Sequence, residues 1–511
     1  MSVKYERKEY TDMLPVWKRC ADVCSGQDAI HAAGVTYLPQ LKDQDTTEYN
    51  NYRDRTPFYN ATWRTIVGLQ GMLFRKPPTV IVPDIVKPML KNIDLAGTSL
   101  HIFSLETAEE CLKVGRVGIF VDFPVVPDGA TAADALLHNY RPSMRMYKTA
   151  SIINWKTITI NNETILSMIV LKEVADEKVD EFEDKPVPQW RVLDLVAIGE
   201  ASTDLVYRVR VFQRDEREDK DILISEAYPL INGKFLNRIP FQFIGVDDTD
   251  CAIDEPPLID LVDMNISHYQ TTADYEHGCH FTGLPTPVIT GYTPDLDGSK
   301  FYIGSTTAWV FNRSDAKAFY LEFTGEGLGS LKANMDKKEG HMAILGARML
   351  EVQVRGVESA NTAAIHRGGE QSMLASVAQS ISIGMTNALR IFCNFAGTPI
   401  SDDVDLAAAQ CKFDLNRDFF PVPMDALTLT AIIAAWQNGA ISYETMFSNL
   451  QTAEIIPLEN TAQTEMAAIK ANPPPMIAAG TTPGSPHPNA PKGEATPATS
   501  APTIKQLQNG A

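Results

Sequence analysis

GLGSLKANMDKKEGHMAILGARML (327–350), EVQVRGVE (351–358) and SANTAAI (359–365) are the stretch on which the reading of this chain turns. In its first part Leu331, Met335, Met342, Leu345 and Met349 recur at steps that place them on one face of a helix. The middle part is rich in β-branched residues and carries Gly356, which interrupts that periodicity. Ser359, Asn361 and Thr362 then offer N-cap oxygens, and helical spacing resumes toward Phe395. The pattern predicts a helix over 325–350, a short loop over 351–358 and a long helix over 359–398.

Working outward, Asp254-Glu-Pro-Pro257 reads as a helix entry with proline in the first turn. Leu258, Leu261, Val262, Ile266, Tyr269 and Ala273 follow at helical spacing, predicting an amphipathic helix over 255–278. Between the two amphipathic helices lies a non-helical insertion, 279–324, with a strand candidate at Thr307-Ala-Trp-Val-Phe311. Upstream, the chain to about Phe123 reads as mainly helical, with Leu100–Leu112 a helix and Val117–Phe123 a strand. Pro124–His138 reads as a surface loop. From 141 to 245 the alternation has period two, in Thr157–Ile160, Ile165–Leu171 and Leu205–Phe212, with charged turns at Asp176–Lys185 and Asp215–Asp221. Downstream, Asp414–Phe420 introduces a last helical pair with its turn at Gly439–Ser442. From Asn472 the chain is Pro, Ala, Gly, Thr and Ser without an aromatic residue, a composition expected to stay disordered. The fold class expected is α+β with more than one core, given 511 residues.

A net charge of −19 argues against an open basic surface that grips nucleic acid. Met1–Asp12 is dense in charge and unlike a signal peptide, and no apolar run reaches the length of a membrane span. Seven scattered cysteines read as buried thiols of a protein made in a reducing cytoplasm, not as a disulfide framework.

Motifs that carry chemistry are sparse. Gly325-Glu-Gly-Leu-Gly329 lacks the Gly-Lys-Ser/Thr of a phosphate loop and reads as a helix start. His268, His277, Cys279 and His280 include zinc-type ligands, but no second pair stands at finger-like spacing and there is no His-Glu-x-x-His. The expectation is no catalytic residue, no metal and no cofactor. A metal-dependent nucleic-acid-processing enzyme built on the histidines is the alternative from another class, and a head-tail adaptor that never forms a ring is a second.

Three segments carry a resemblance. They are Tyr37-Leu-Pro-Gln-Leu41 with Tyr49, Tyr52 and Phe58–Pro78; Glu255–Tyr269 with Leu284–Gly291; and Leu345-Gly-Ala-Arg-Met-Leu350. In this order they resemble the portal proteins of tailed bacteriophages, in particular a subfamily long catalogued as a domain of unknown function, from about residue 37 to about 455. The resemblance implies a ring of twelve subunits at one capsid vertex, through which double-stranded DNA is packaged and later ejected. It implies contacts with the major capsid protein, the terminase large subunit and neck or adaptor proteins, a place in the virion and no membrane. On that pattern 1–254 is a wing, 255–278 and 325–350 the two stem helices, 279–324 the clip and 351–358 the tunnel loop. The helix 359–398 then runs from wing toward crown, 399–471 is the crown and 472–511 the tail. Stem packing falls to Leu258, Val262, Ile266, Tyr269, Leu331, Met335, Met342, Leu345 and Met349. Channel contacts fall to Gln353, Arg355, Gly356, Lys332, Lys337 and Lys338. Lys338 stands inside the apolar stripe, so it is expected either to snorkel out of the contact or to face the lumen.

Overall fold

The computed structural model describes residues 2–124, 126, 131–197, 205–215, 220–231, 233–283, 286–291, 309, 315–321, 325–346, 360–401, 403–417, 419, 424, 426–453, 455–457 and 460–472. Met349, the loop 351–358 with Gln353, Arg355 and Gly356, most of the clip and nearly all of the tail lie outside the described residues. The chain is mixed helix and sheet, and divides into two units, Met1–Phe420 and Pro421–Ala511.

Helices open the first unit: α1 (Lys8–Ser25), α2 (Gln27–Ala33), α3 (Thr46–Arg55), α4 (Ala61–Leu73) and, after strand β1 (Thr79–Ile81), α5 (Leu100–Val114). Their starts are set locally. Asp45 and Glu48 form a capping box on α3, and Asn60 and Ser99 accept the Trp63 and Ile102 amides of α4 and α5. Gly115, at φ 85°, ends α5 in the left-handed conformation, where the Asp254 carbonyl would stand 2.9 Å from any added Cβ.

The strands follow as β2 (Arg116–Asp122), β3 (Ser143–Lys148), β4 (Ile152–Ile160), β5 (Glu163–Lys178), β6 (Asp184–Ala197), β7 (Leu205–Asp215), β8 (Lys220–Ala227), β9 (Leu230–Ile231), β10 (Lys234–Phe235) and β11 (Phe241–Gly245). They make a three-stranded sheet in the order β11-β2-β3 and a five-stranded antiparallel meander β4-β5-β6-β7-β8. Central β2 is buried on both faces, which its unbroken apolar run already signals. Asn161 and Asn162 both take positive φ in the two-residue turn between β4 and β5. Two expectations are corrected here. A short helix α6 (Ala132–Leu137) lies inside the segment read as loop, and the charged turn Asp176–Lys185 is shorter than expected. Strand pairing continues through it because Glu177 faces Lys185 and Lys178 faces Asp184, opposite charges across the ladder.

The remaining elements of the first unit are α7 (Ile259–Gly283), the pair β12 (Thr286–Thr290) and β13 (Lys317–Leu321), α8 (Glu326–Gly346), α9 (Ala360–Phe395), α10 (Val404–Gln410) and β14 (Lys412–Asp414). The segment 399–420, expected with the crown, belongs to this unit. Its strand β14 pairs antiparallel with β1, and Phe413, Leu415 and Phe419 are buried in the same core as α4 and α5. Ser382 and Thr386 of α9 hold that strand: the Phe413 amide donates to Thr386 Oγ1 (2.9 Å) and the Leu415 amide to Ser382 Oγ (2.9 Å). The second unit contains α11 (Ala426–Gln437), α12 (Tyr443–Thr452) and α13 (Ala462–Ala471), with Gly439 at φ 75° in the expected turn.

Two apolar clusters fill the first unit. One joins α4, α5, β2 and the buried face of α9; the other joins α1, the aromatic residues Tyr37, Tyr49, Tyr52 and Phe58, and the meander. Cys20, Cys24, Cys111, Cys393 and Cys411 are buried within them, as expected of thiols used as small hydrophobes. Burial raises the thiol pKa of Cys20 to about 11 and of Cys24 to about 12. Gly384 lets α9 lie directly on β11, since a Cβ there would fall 2.4 Å from Ile244 Cγ1. Gly384→Ala should therefore destabilise the fold by about 1–3 kcal/mol in chemical denaturation, the usual cost of overpacking. In native protein a thiol reagent at pH 8 should label Cys251 and Cys279 first and the five buried cysteines only on unfolding.

Candidate functional site

Helices α7 and α8 pack side by side as a hairpin, with the β12–β13 ribbon inserted between them. Helix α7 starts at Ile259, four residues later than the sequence pattern placed it. The reason is that Asp254 is committed elsewhere: its Oδ2 accepts from the amides of Val246 (2.7 Å) and Asp247 (3.3 Å). Pro256 and Pro257 follow with no amide to give. At the other end the helix runs through Gly278 to Gly283. Gly278 is a packing glycine, because Leu328 of α8 lies 2.6 Å from where its Cβ would stand.

The base of α7 is anchored on several sides. Leu258, just before the helix, and Leu261 point into the first apolar cluster, while Val262, Tyr269 and Ala273 point into the second. Between these faces sits Asn265, fully buried. Its Oδ1 accepts from the amides of Ala61 (3.1 Å) and Thr62 (3.2 Å) and from Thr62 Oγ1 (3.1 Å), and its Nδ2 donates to the Tyr59 carbonyl (2.8 Å). Farther along, Gln270 donates to the Tyr37 carbonyl (2.9 Å), and Tyr52 Oη donates to Asp274 Oδ1 (2.7 Å). Burial, helped by Asp274, pushes the Tyr52 phenol up, so it remains a donor at any ordinary pH. Asp263 sits on the exposed side as expected, and pairs with Arg19 of α1 at 3.2 Å.

On α8 the inward stripe is Leu328, Leu331, Met335, Lys338, Met342 and Gly346, at steps of three and four. Met342 is buried, and Gly346 admits Thr65 of α4 and Leu261 of α7. Lys338 follows neither course expected of it within this chain. Its Nζ crosses to α7 and donates to the Ser267 carbonyl (2.8 Å), Ser267 Oγ (2.8 Å) and Thr271 Oγ1 (2.6 Å), using all three protons. Burial lowers its pKa. Beside it His268 Nε2 lies 3.3 Å from Glu339 Oε1, and burial lowers the imidazole pKa despite the carboxylate. Lys332 and Lys337 are exposed on α8. Leu345, expected on the packing face, is 41% exposed, because the inward position in its turn is taken by Gly346.

His277 packs edge-on against Tyr52 and Phe281, with ring centres 5.2 and 4.7 Å away, and His280 also lies against Phe281. No three His, Cys, Asp or Glu side chains converge as metal ligands among the described residues. Among the same residues no helix is long and apolar enough to cross a membrane. The residues that sequence reasoning missed are Asn265, Ser267, Thr271, Gly278 and Gly346. A polar or glycine residue recurring on an otherwise apolar helix face is the signal that marks them.

The family described as Domain of unknown function (DUF4055) matches residues 257–396, the hairpin, its insertion and α9. No curated protein matches the chain. Among solved structures, the neck of a native GTA particle computed with C12 symmetry has a chain 11% identical, at a TM-score of 0.33, covering 76% of this chain and 89% of that one. The neck of an empty GTA particle computed with C6 symmetry gives 10%, a TM-score of 0.35, and 77% and 90%. The virion of a native gene transfer agent particle gives 11%, 0.33, and 77% and 90%.

The lowered pKa of His268 fixes the sign of one pH effect. The unfolded chain binds its proton near 6.5, the folded chain only at lower pH, so stability is fully present above 6.5 and falls on acidification toward the folded pKa. His268→Gln should flatten the loss of denaturation midpoint between pH 7 and 5, read by urea titration at several pH values. Asn265→Ala, which strands the Ala61 and Thr62 amides and the Tyr59 carbonyl, should cost about 3 kcal/mol in the same measurement.

Proposed function

We propose that this chain is a portal-type subunit: it assembles as a ring at one capsid vertex, joins head to neck, and lets double-stranded DNA pass inward during packaging and outward at ejection. The observation that carries the reading is the anchored hairpin of α7 and α8, with a ribbon between its helices and a 36-residue helix, α9, after it. That order is the one the resemblance implies for stem, clip, stem and the long helix from wing toward crown. Apolar surface on these elements supports an assembly. Phe281, Phe319, Tyr320, Leu321, Ile344 and Leu345 are each between 41% and 60% exposed, on a hairpin and ribbon too thin to bury them alone.

Ring formation supplies the missing cover, and repeated −19 charges make a wall that repels phosphate. Lys332 and Lys337, exposed on the stem, and Gln353, Arg355 and Gly356 of the tunnel loop are the residues proposed to steer the duplex. Lys338 is proposed for the stem seam, not the channel. The partners proposed are the major capsid protein, the terminase large subunit and neck proteins. No catalytic step is assigned to the chain.

Negative-stain images of purified protein should show rings with a central hole, and twelve subunits are expected in the particle. A monodisperse monomer over a wide concentration range overturns the proposal. Arg355→Ala rings should form normally and package or retain less DNA; wild-type packaging, retention and infectivity remove the DNA-contact role.

A further inference from the structure

The five-stranded meander carries a different kind of surface at each end. At one end, the turn between β5 and β6 is built to present an apolar side chain. Asp180 Oδ1 accepts from the amides of Phe182 (2.7 Å) and Glu183 (2.8 Å), and the Val179 amide donates to the Glu183 carbonyl (3.0 Å). This leaves Phe182 92% exposed, with Val179 at 57% and Val174 at 67%. Residues 176–185 hold six carboxylates against two lysines. The turn thus holds an apolar side chain out into an acidic surround.

At the other end, where β4 turns into β5, a cavity of about 1010 Å³ opens between Thr164 and Ile165, the segment 234–243 and one face of α9. Its apolar wall includes Phe235 and Ile391, and its cations are Lys234, Arg238 and Arg390 against the single carboxylate of Asp250. Arg238 pairs with Glu163 at 2.6 Å, in a contact that leaves both more than half exposed. Arg390 Nε is buried without a hydrogen-bond partner among the described residues. The cavity therefore has apolar depth for a ring and positive charge at its wall, the complement of the acidic turn.

Strand β5 connects the two, and its 16 residues set them roughly 50 Å apart. Complementary features on opposite ends of one subunit cannot meet within it. They meet between neighbours related head to tail, and a heterologous contact that closes gives a ring. We propose that the Phe182 turn of one copy of this chain docks in the Arg390 cavity of the next, and that this contact drives ring closure. The inference rests on the ring reading above and names the contact that makes it.

Full-length wild type and two charge-swap pairs, Glu181→Lys with Glu183→Lys in the turn and Lys234→Glu with Arg238→Glu at the cavity, test it by light scattering and native mass spectrometry. All four positions are on the surface, so melting temperatures should match wild type. Each pair alone should lose the high-mass species at a concentration about tenfold above that at which wild type assembles. The quadruple variant should regain it, and Phe182→Ser should weaken assembly in the same direction. If wild type forms rings and the turn pair or Phe182→Ser does so equally well, the docking contact is wrong and the ring reading stands. That result, together with loss of capsid-protein binding, would give the turn to that protein instead. If wild type never leaves the monomer, the ring reading fails and this contact with it.

Discussion

Helix α7 must be buried on two sides at once, and much of the first unit is arranged around that constraint. A helix with one apolar stripe can rest on a single core. Here Leu258 and Leu261, at its start, serve one cluster, while Val262, Tyr269 and Ala273 serve the other. The strip between them cannot reach water, so its polar group has to be satisfied by protein. Asn265 does this by capturing the amides at the first turn of α4, groups that no helical carbonyl can take. One amide side chain thus fixes the direction in which α7 leaves the body. Beyond Ala273 the helix becomes progressively less buried, so the rigid base sets the path of the projecting part.

Across the seam of the hairpin, Lys338 plays a related part at lower cost. A cation in an apolar stripe is unfavourable unless its protons find oxygens, and Ser267 and Thr271 present three of them one turn apart. These three bonds favour the observed register between the helices. The glycines at 278 and 346 act at the two ends of the same contact, where Leu328 and Leu261 fill the space a side chain would occupy.

Much of this was legible in the sequence, and the failures share a cause. Periodicity located α7, α8, α9 and the meander, because apolar spacing reports which face is covered. It misplaced the start of α7 because Asp254 bonds to a loop before the helix, and it ran α7 too short because Gly278 looks like a stop when only its own helix is considered. Leu345 fits the stripe by spacing, yet Gly346 holds the inward place. The role of Lys338 depends on two hydroxyls some seventy positions away. What periodicity cannot carry is the identity of the neighbour, and the misses on α7 and α8 are residues whose conformation is decided by a partner distant in the chain. The loop 351–358, on which the channel reading turned, lies outside the described residues.

The pairing of β1 with β14 has a consequence for the order of events during synthesis. Thr79 and Asp414 are partners although roughly 335 positions separate them. At ribosomal speeds of about 5–20 residues per second, β1 waits roughly 17–70 s for its mate. Throughout that interval the core beneath α4 and α5 lacks the side chains of Phe413, Leu415 and Phe419. A nascent chain therefore cannot present a finished body until nearly all of it has been made. Topology alone therefore keeps the first unit open until the chain has passed Phe419.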